Sequence, residues 1–110
     1  MQISIQTSGV ILSEPLIAHV EQRLLFALGR FQAHVIKITV DLSTSGTTAA
    51  GNNRCHLRIR LHGLPDIAIE DSEGDICLAI DRAAARAGRT LGRQLQRTGQ
   101  AFDTPPDRDA

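Results

Sequence analysis

Tryptophan and tyrosine are absent from this chain of 110 residues, whose aromatic side chains are three phenylalanines, Phe26, Phe31 and Phe102. Proteins that read single strands from a β-sheet stack bases on aromatic side chains that the sheet presents. Here two phenylalanines fall in a stretch with helical periodicity and the third lies near the C-terminus. The sequence therefore argues against base stacking on a sheet and favours recognition through backbone charge and shape.

Long apolar runs are also missing. No stretch approaches the roughly 20 apolar residues that a membrane span needs, and the opening MQISIQTSG lacks the basic and apolar regions of a signal peptide. Cys55 and Cys77 have neither C-x-x-C spacing nor a Cys/His cluster, which predicts free thiols. We expect a cytoplasmic protein with one compact domain and no membrane partner.

Catalytic signatures are missing as well. The four histidines show no H-E-x-x-H or comparable spacing, and the acidic residues between 66 and 75 lack the pattern of a calcium-binding loop. The chain has no G-x-S-x-G motif and no glycine-rich phosphate loop. We therefore predict that the protein is not an enzyme and has no cofactor, metal site or small-molecule substrate.

Strand and helix periods alternate along the chain. Period-two patterns predict strands over residues 2–7, 35–43, 54–62 and 66–71, and helical patterns run from about 14 to 31 and from about 75 to 97. The order β-α-β-β-β-α predicts an α+β fold, in which two helices cover one face of a four-stranded mixed sheet. Residues 1–97 would form the domain. The Pro-Pro-containing segment 98–110 is predicted to be a disordered tail.

Local signals add detail to this fold. Ser13 is the predicted N-cap of the first helix, residues 63–66 are predicted to turn, and the acidic stretch 72–75 is predicted to begin the second helix. Gly88 and Gly92 are each expected to weaken that helix by about 1 kcal/mol relative to alanine. The second strand is expected to point four side chains into the core: Ile36, Ile38, Val40 and Leu42.

The net charge of zero conceals a strong segregation of charge. Residues 66–81 carry six acidic side chains and no basic one, whereas residues 82–102 carry five arginines and no acidic side chain. In the third strand, RCHLRIRLH, apolar residues alternate with basic ones or histidine, so period two places the polar set on the open face. The residues expected on that face are Arg54, His56, Arg58, Arg60 and His62, and Lys37 can join them from the neighbouring strand. All of these except His62 are predicted to bind RNA.

The second helix presents a row of arginines. They are Arg82, Arg86, Arg89, Arg93 and Arg97, which lie within an arc of about 80° opposite the apolar stripe. Like charges at this spacing are unfavourable, and no acidic residue within the helix segment is available to pair with them. Exposed arginines without partners favour phosphate binding. Because the two basic surfaces lie on opposite sides of a thin domain, a folded RNA that encloses it fits better than one duplex.

Four segments also carry a family resemblance from Met1 to about Arg97. They are MQISI, SEPLIAHVEQRL with its LGRF end, IKITVDLS, and IEDSEGDICLAIDRAAARAGRTLGRQL. In this order they resemble the ribosome hibernation promoting factor and ribosome-associated inhibitor A family, also called sigma-factor modulation proteins. The resemblance implies a bacterial stress-response protein whose fold is related to double-stranded RNA binding domains. It also implies binding to the rRNA of the small ribosomal subunit, where the protein obstructs messenger and transfer RNA, with the five helix arginines at matching positions.

The chain departs from that family in two places. Its loop STSGTTAAGNN is uncharged, where the family's shorter hairpin often carries lysine, and it resembles the short form without a dimerisation domain. Inhibition of single ribosomes and assistance to a second, ribosome-pairing factor both stay open. Two other functions also stay open: a protein-interaction module that uses the acidic segment 66–81 to regulate transcription or stress signalling, and a stand-alone binder of duplex RNA.

Overall fold

In the computed structural model, which describes residues 1–44 and 52–97, the chain folds in the predicted order of elements. The elements are β1 (Gln2–Ser8), α1 (Glu14–Leu28), a 3-10 helix (Gly29–His34), β2 (Val35–Thr44), β3 (Asn53–Leu61), β4 (Leu64–Glu73) and α2 (Ile76–Arg97). The predicted tail, 98–110, and most of the predicted uncharged loop, 45–51, lie outside the described residues.

The four strands form one mixed sheet in the order β1-β2-β3-β4. β1 pairs with β2 in parallel, and the other two pairs are antiparallel. The register aligns Ile5, Val40, Leu57 and Ile69 in one row across all four strands. Because successive side chains point to opposite faces, this row faces the helices and the rows on either side of it face solvent.

Both helices cover the same face of the sheet. The buried apolar side chains of α1, α2 and strands β2, β3 and β4 form one cluster, against which the isoleucines of β1 pack. Among the described residues no polar or charged side chain is buried. Burial of this apolar surface is the main favourable contribution to folding, and the arrangement confirms the predicted α+β fold.

The first helix begins as predicted and ends earlier than predicted. Ser13 caps it by accepting a hydrogen bond from the backbone N–H of Leu16 at 3.3 Å. The backbone at Leu28 leaves the helical range, with φ −121° and ψ −3°, and the chain continues as the 3-10 helix. That tighter turn carries the side chain of Phe31 into the core, where it is fully buried.

Three predictions about the strands and their ends are wrong in detail. Ile36 is 38% exposed and Val35 is buried, because the pairing of β2 with β3 is irregular between Val35 and Lys37. The turn before β4 is shorter than predicted: Leu61 pairs with Leu64, and Gly63 adopts the positive φ of 72° that this tight connection requires. β4 therefore begins earlier than predicted. It also ends later, because Ser72 and Glu73, which the acidic pattern places at the start of the last helix, pair with Arg54 and Asn53 of β3.

Helix α2 begins at an acidic residue. Asp75 accepts a hydrogen bond from the backbone N–H of Cys77 at 2.8 Å, which confirms an acidic start at that residue.

Helix α2 crosses α1 at a glycine. A Cβ atom on Gly88 would lie 2.9 Å from the backbone carbonyl oxygen of Ala27. The two helices therefore approach so closely at this point that no side chain fits between them.

Candidate nucleic-acid interface

The five predicted arginines of α2 all lie exposed on the side of the helix that faces away from the sheet. The buried side of the same helix carries Ala83, Ala87 and Leu91, which pack into the core. The helical spacing therefore places this set as predicted. The structure divides it into two groups, however, according to whether carboxylates of the same chain reach the guanidinium groups.

Arg82 and Arg86, in the first turns of α2, are paired with acidic residues of β4. Arg82 Nε lies 3.0 Å from Glu73 Oε2 and 3.8 Å from Asp71 Oδ1. Arg86 Nη1 lies 3.3 Å from Asp71 Oδ2 and donates a hydrogen bond to the backbone carbonyl of Glu70 at 2.8 Å. The expectation that these two arginines lack partners is therefore wrong. The short connection between β4 and α2 folds the helix back beside the strand's acidic end, a contact that helix periodicity does not contain.

Arg89, Arg93 and Arg97, in the second half of α2, form no ion pair and no hydrogen bond within residues 1–44 and 52–97. Their charges are therefore not neutralised by the part of the chain that the structure describes. A guanidinium group in this state retains its donors for an external anion, and its planar shape suits two phosphate oxygens at once.

A groove between α1 and α2 adds cations that the two sequence patterns do not include. We call it the interhelical groove, and it consists of two adjoining depressions that share Arg30, Gly88 and Arg89. Among the residues that the structure describes, no acidic side chain lines either depression. The remaining lining residues are Arg23, Phe26, Ala27, Ala84, Ala85, Gly92, Arg93 and Gln96.

Arg23 reaches this groove from α1, and Arg30 reaches it from the 3-10 helix that follows. The Arg30 guanidinium carbon lies 4.7 Å from the ring centroid of the buried Phe31, so the core itself supports this cation. The Arg23 guanidinium carbon lies 5.5 Å from the ring centroid of Phe26, which is 81% exposed. A helical projection of the predicted helix, about 14 to 31, could have found this set, because positions 23, 26 and 30 share one face at steps of three and four.

Asp81 ties the two helices together beside the groove. Its Oδ1 atom lies 2.8 Å from His19 Nε2 of α1. The same oxygen lies 3.3 Å from Arg23 Nε, without hydrogen-bond geometry. One carboxylate of α2 therefore contacts two side chains of α1 beside one end of the groove.

The predicted sheet surface is present on the open face. Lys37 of β2 lies directly opposite Arg60 of β3, and Thr39 lies opposite Arg58. Lys37, Arg58 and Arg60 form no ion pair within the described residues, so their charge remains available. The alternation of β3 therefore places these cations as predicted, near the turn that connects β3 to β4.

The open face is not uniformly basic. This corrects the expectation of a basic surface in the part of the face around Arg54 and His56. His56 lies between Asp41 on β2 and Glu70 on β4, and Arg54 Nε lies 3.5 Å from Glu70 Oε2. Asp66 lines a shallow depression together with the cations near the turn. The same period of two that directs the isoleucines of β4 inward directs Asp66 and Glu70 outward, so the face carries both signs.

The cysteines and histidines form no further site in the described part of the chain. Burial raises the pKa of the Cys55 thiol to about 12, with smaller contributions from the carboxylates of Asp71 and Asp41, so the thiol is neutral. Both cysteines are free. No group of three metal-ligating side chains occurs among residues 1–44 and 52–97, and none of the helices described there is long and apolar enough to span a membrane.

Comparisons with known proteins agree with the predicted family and fold. A family model described as sigma 54 modulation protein / S30EA ribosomal protein matches residues 3–98. The N-terminal domain of Thermus thermophilus Protein Y is similar at a TM-score of 0.71 and 25% identity, over 86% of this chain and 99% of that one. A ribosomal subunit interface protein from Coxiella burnetii has a similar fold, with a TM-score of 0.72 at 16% identity, over 87% of this chain and 99% of that one. Among curated proteins, no sequence matches significantly.

Proposed function

The chain belongs to the sigma 54 modulation protein / S30EA ribosomal protein family, and from this premise we propose that it is a non-catalytic, cytoplasmic inhibitor of translation. In this proposal the protein binds rRNA of the small ribosomal subunit and obstructs the sites of messenger and transfer RNA. Its basic surfaces supply the contacts, which go to phosphates rather than to base edges.

The observation that carries this proposal is the cationic second half of α2. Arg89 and Arg93 are exposed and form no ion pair within the described residues. Arg30 adds a third cation from the other side of the interhelical groove. Several guanidinium groups without nearby carboxylates would repel one another in the free protein. Bound phosphates remove that repulsion and release counterions from the RNA, which makes binding favourable and strongly dependent on salt.

The sheet surface supports a role as a wedge in folded RNA. Lys37, Arg58 and Arg60 lie on the open face of the sheet, whereas the α2 arginines lie on the far side of the helical layer. One straight duplex cannot contact both sides of the domain. A cleft of folded rRNA can, and a protein lodged in such a cleft would occupy space that messenger or transfer RNA needs.

The acidic segment 66–81 gives less support to a protein-interaction module. Four of its carboxylates already contact basic side chains of the same chain: Glu70 contacts Arg54, Asp71 and Glu73 contact α2 arginines, and Asp81 contacts His19. Their charge is therefore partly neutralised before any partner arrives. A basic partner protein would have to compete with these internal contacts.

Sucrose-gradient sedimentation with purified small subunits tests the proposal. We expect the wild-type protein to migrate with the subunit at low salt and to dissociate as salt rises, and Arg89→Gln to reduce co-migration. Ala18→Glu is the matched control, because it changes the net charge by the same amount at an exposed position of α1 outside the groove. Absence of co-migration at low salt would refute the proposal. Equal affinity for plain duplex RNA would instead identify a stand-alone duplex binder.

The wedge geometry needs a separate test. Arg93→Glu reverses a charge on the helix side and Arg58→Glu reverses one on the sheet side, so each should weaken subunit binding and the double variant should lose the sum of both effects. A result in which only one side affects binding would reject the wedge. The same gradients, run with whole ribosomes, distinguish inhibition of single ribosomes from assistance to a pairing factor.

A further inference from the structure

The floor of the interhelical groove is made of residues with almost no side chain. Ala27 of α1 and Ala84 and Gly88 of α2 line its narrowest part, where a Cβ on Gly88 would lie only 2.9 Å from the Ala27 carbonyl oxygen. The helices therefore touch through backbone, and residues 1–44 and 52–97 leave the space above the contact unfilled. A groove of this kind is open to a flat or extended ligand.

The walls of the groove are cationic on both sides. Arg30 lies on one side and Arg89 and Arg93 lie on the other, and no carboxylate from the described part of the chain lines the groove between them. Guanidinium groups that face one another across a gap can hold the same phosphodiester backbone from two directions. The chemistry of the walls selects a polyanion.

Phe26 distinguishes between kinds of polyanion. Its ring lines the groove, is 81% exposed and therefore contributes little to the core. Exposed aromatic rings beside cations are the combination that single-strand binding proteins use, because an unpaired base stacks on the ring while its phosphates meet the cations. The bases of a duplex are already stacked on one another, and the duplex presents mainly its phosphates at the surface. A duplex therefore leaves Phe26 without a base to stack on.

We propose that the interhelical groove binds a single-stranded segment of RNA, with one unpaired base stacked on Phe26 and the adjoining phosphates held between Arg30 and Arg89. This inference rests on the proposed function for the nature of the polyanion, and it adds the strandedness of the RNA and an aromatic contact. It also revises the expectation that recognition uses charge and shape alone, because the stacking surface lies on a helix rather than on the sheet.

Fluorescence anisotropy with a labelled single-stranded RNA of about seven nucleotides, a length within the site sizes of single-strand binders, tests the groove without ribosomes. Phe26→Leu should weaken binding of this probe by about fivefold or more, the lower end for the loss of one stacked base. It should leave the affinity for a short RNA duplex unchanged, and Phe26→Tyr should restore binding of the single strand. Leu25→Ala is the matched control, because it removes an exposed apolar side chain next in sequence.

A second readout reports the stacking itself. With 2-aminopurine at the centre of the probe, the wild-type protein should quench its fluorescence and Phe26→Leu should not, while thermal unfolding confirms that the variant is folded. Equal single-strand affinities of wild type and Phe26→Leu would overturn the groove proposal.

If the probe stacks on Phe26 but the protein does not migrate with small subunits, the groove stands and the ribosomal function fails. If subunits bind wild type and Phe26→Leu equally well and the probe does not stack, the ribosomal function stands and the groove fails.

Discussion

Two glycines of α2 should respond differently to the same substitution. Gly88 and Gly92 lie one turn apart on one helix, so alanine improves the intrinsic helix propensity equally at both. Their surroundings differ. A Cβ at Gly92 would lie 3.5 Å from Phe31 Cζ, an ordinary contact, whereas a Cβ at Gly88 would lie 2.9 Å from the backbone oxygen of Ala27.

The magnitudes follow from these two distances. Gly92→Ala should stabilise the protein by up to about 1 kcal/mol, the difference in helix propensity. Gly88→Ala gains the same term, but overpacking of a close contact costs about 1–3 kcal/mol, and a backbone carbonyl cannot rotate away as a side chain can. Gly88→Ala should therefore be neutral or destabilising by up to about 2 kcal/mol, which leaves a gap of about 1–3 kcal/mol between the variants.

Urea unfolding followed by circular dichroism measures this gap. Gly92→Ala should raise the midpoint urea concentration above that of wild type. Gly88→Ala should lower the midpoint or, at the lower limit of the predicted gap, leave it at the wild-type value. The m-value should stay constant for both variants. In a thermal scan, each 1 kcal/mol corresponds to about 4–8 °C for a domain of this size. Equal stabilisation by both substitutions would refute the reasoning, because it would mean that the helices separate at negligible cost.

Three further predictions concern charge and protonation. Arg93→Gln should reduce the slope of log affinity against log salt for RNA by about 0.7–0.9, the contribution of one phosphate contact, whereas an unchanged slope would place that arginine outside the interface. Asp71→Asn should raise the affinity for small subunits at low salt, because it removes the carboxylate that pairs with Arg86 and the more distant of the two that pair with Arg82; unchanged or lower affinity would show that Arg86 is not used. Because the pKa of Cys55 is raised from 9.0 to about 12 in the fold, the stability that it contributes is complete below pH 9.0 and is lost as pH rises toward 12. At pH ~8, iodoacetamide should therefore label Cys77 in the native protein and Cys55 only after unfolding, as mass spectrometry can check; native labelling of Cys55 would contradict this.

Periodicity predicted most of the fold because each element has one apolar face and one solvent face. The alternation in β3 placed Arg58 and Arg60 on the open face, and the helical spacing placed Arg89 and Arg93 on the outer side of α2. These positions depend only on the residue's own element. The element order then determined the architecture, since two amphipathic helices had one sheet face to cover.

The errors arose where contacts between elements decide the outcome. Ile36 follows an irregularity in strand pairing that the pattern of β2 alone does not specify. The pairing of Arg82 and Arg86 depends on how β4 lies beside α2. Arg30 and Phe26 join the candidate interface because a glycine lets α1 and α2 approach. A one-dimensional pattern contains none of these distances.

In the proposed function, the carboxylates at the end of β4 would set a threshold for binding polyanions. A phosphate that approaches the first turns of α2 must displace Asp71 and Glu73 from guanidinium groups that they already occupy. An isolated or sparsely charged strand gains little from that exchange, whereas densely packed phosphates held in place by a folded RNA gain at every position. Negative charge built into the domain can thus sharpen its choice among the many RNAs of a cell and keep the free protein electrically neutral.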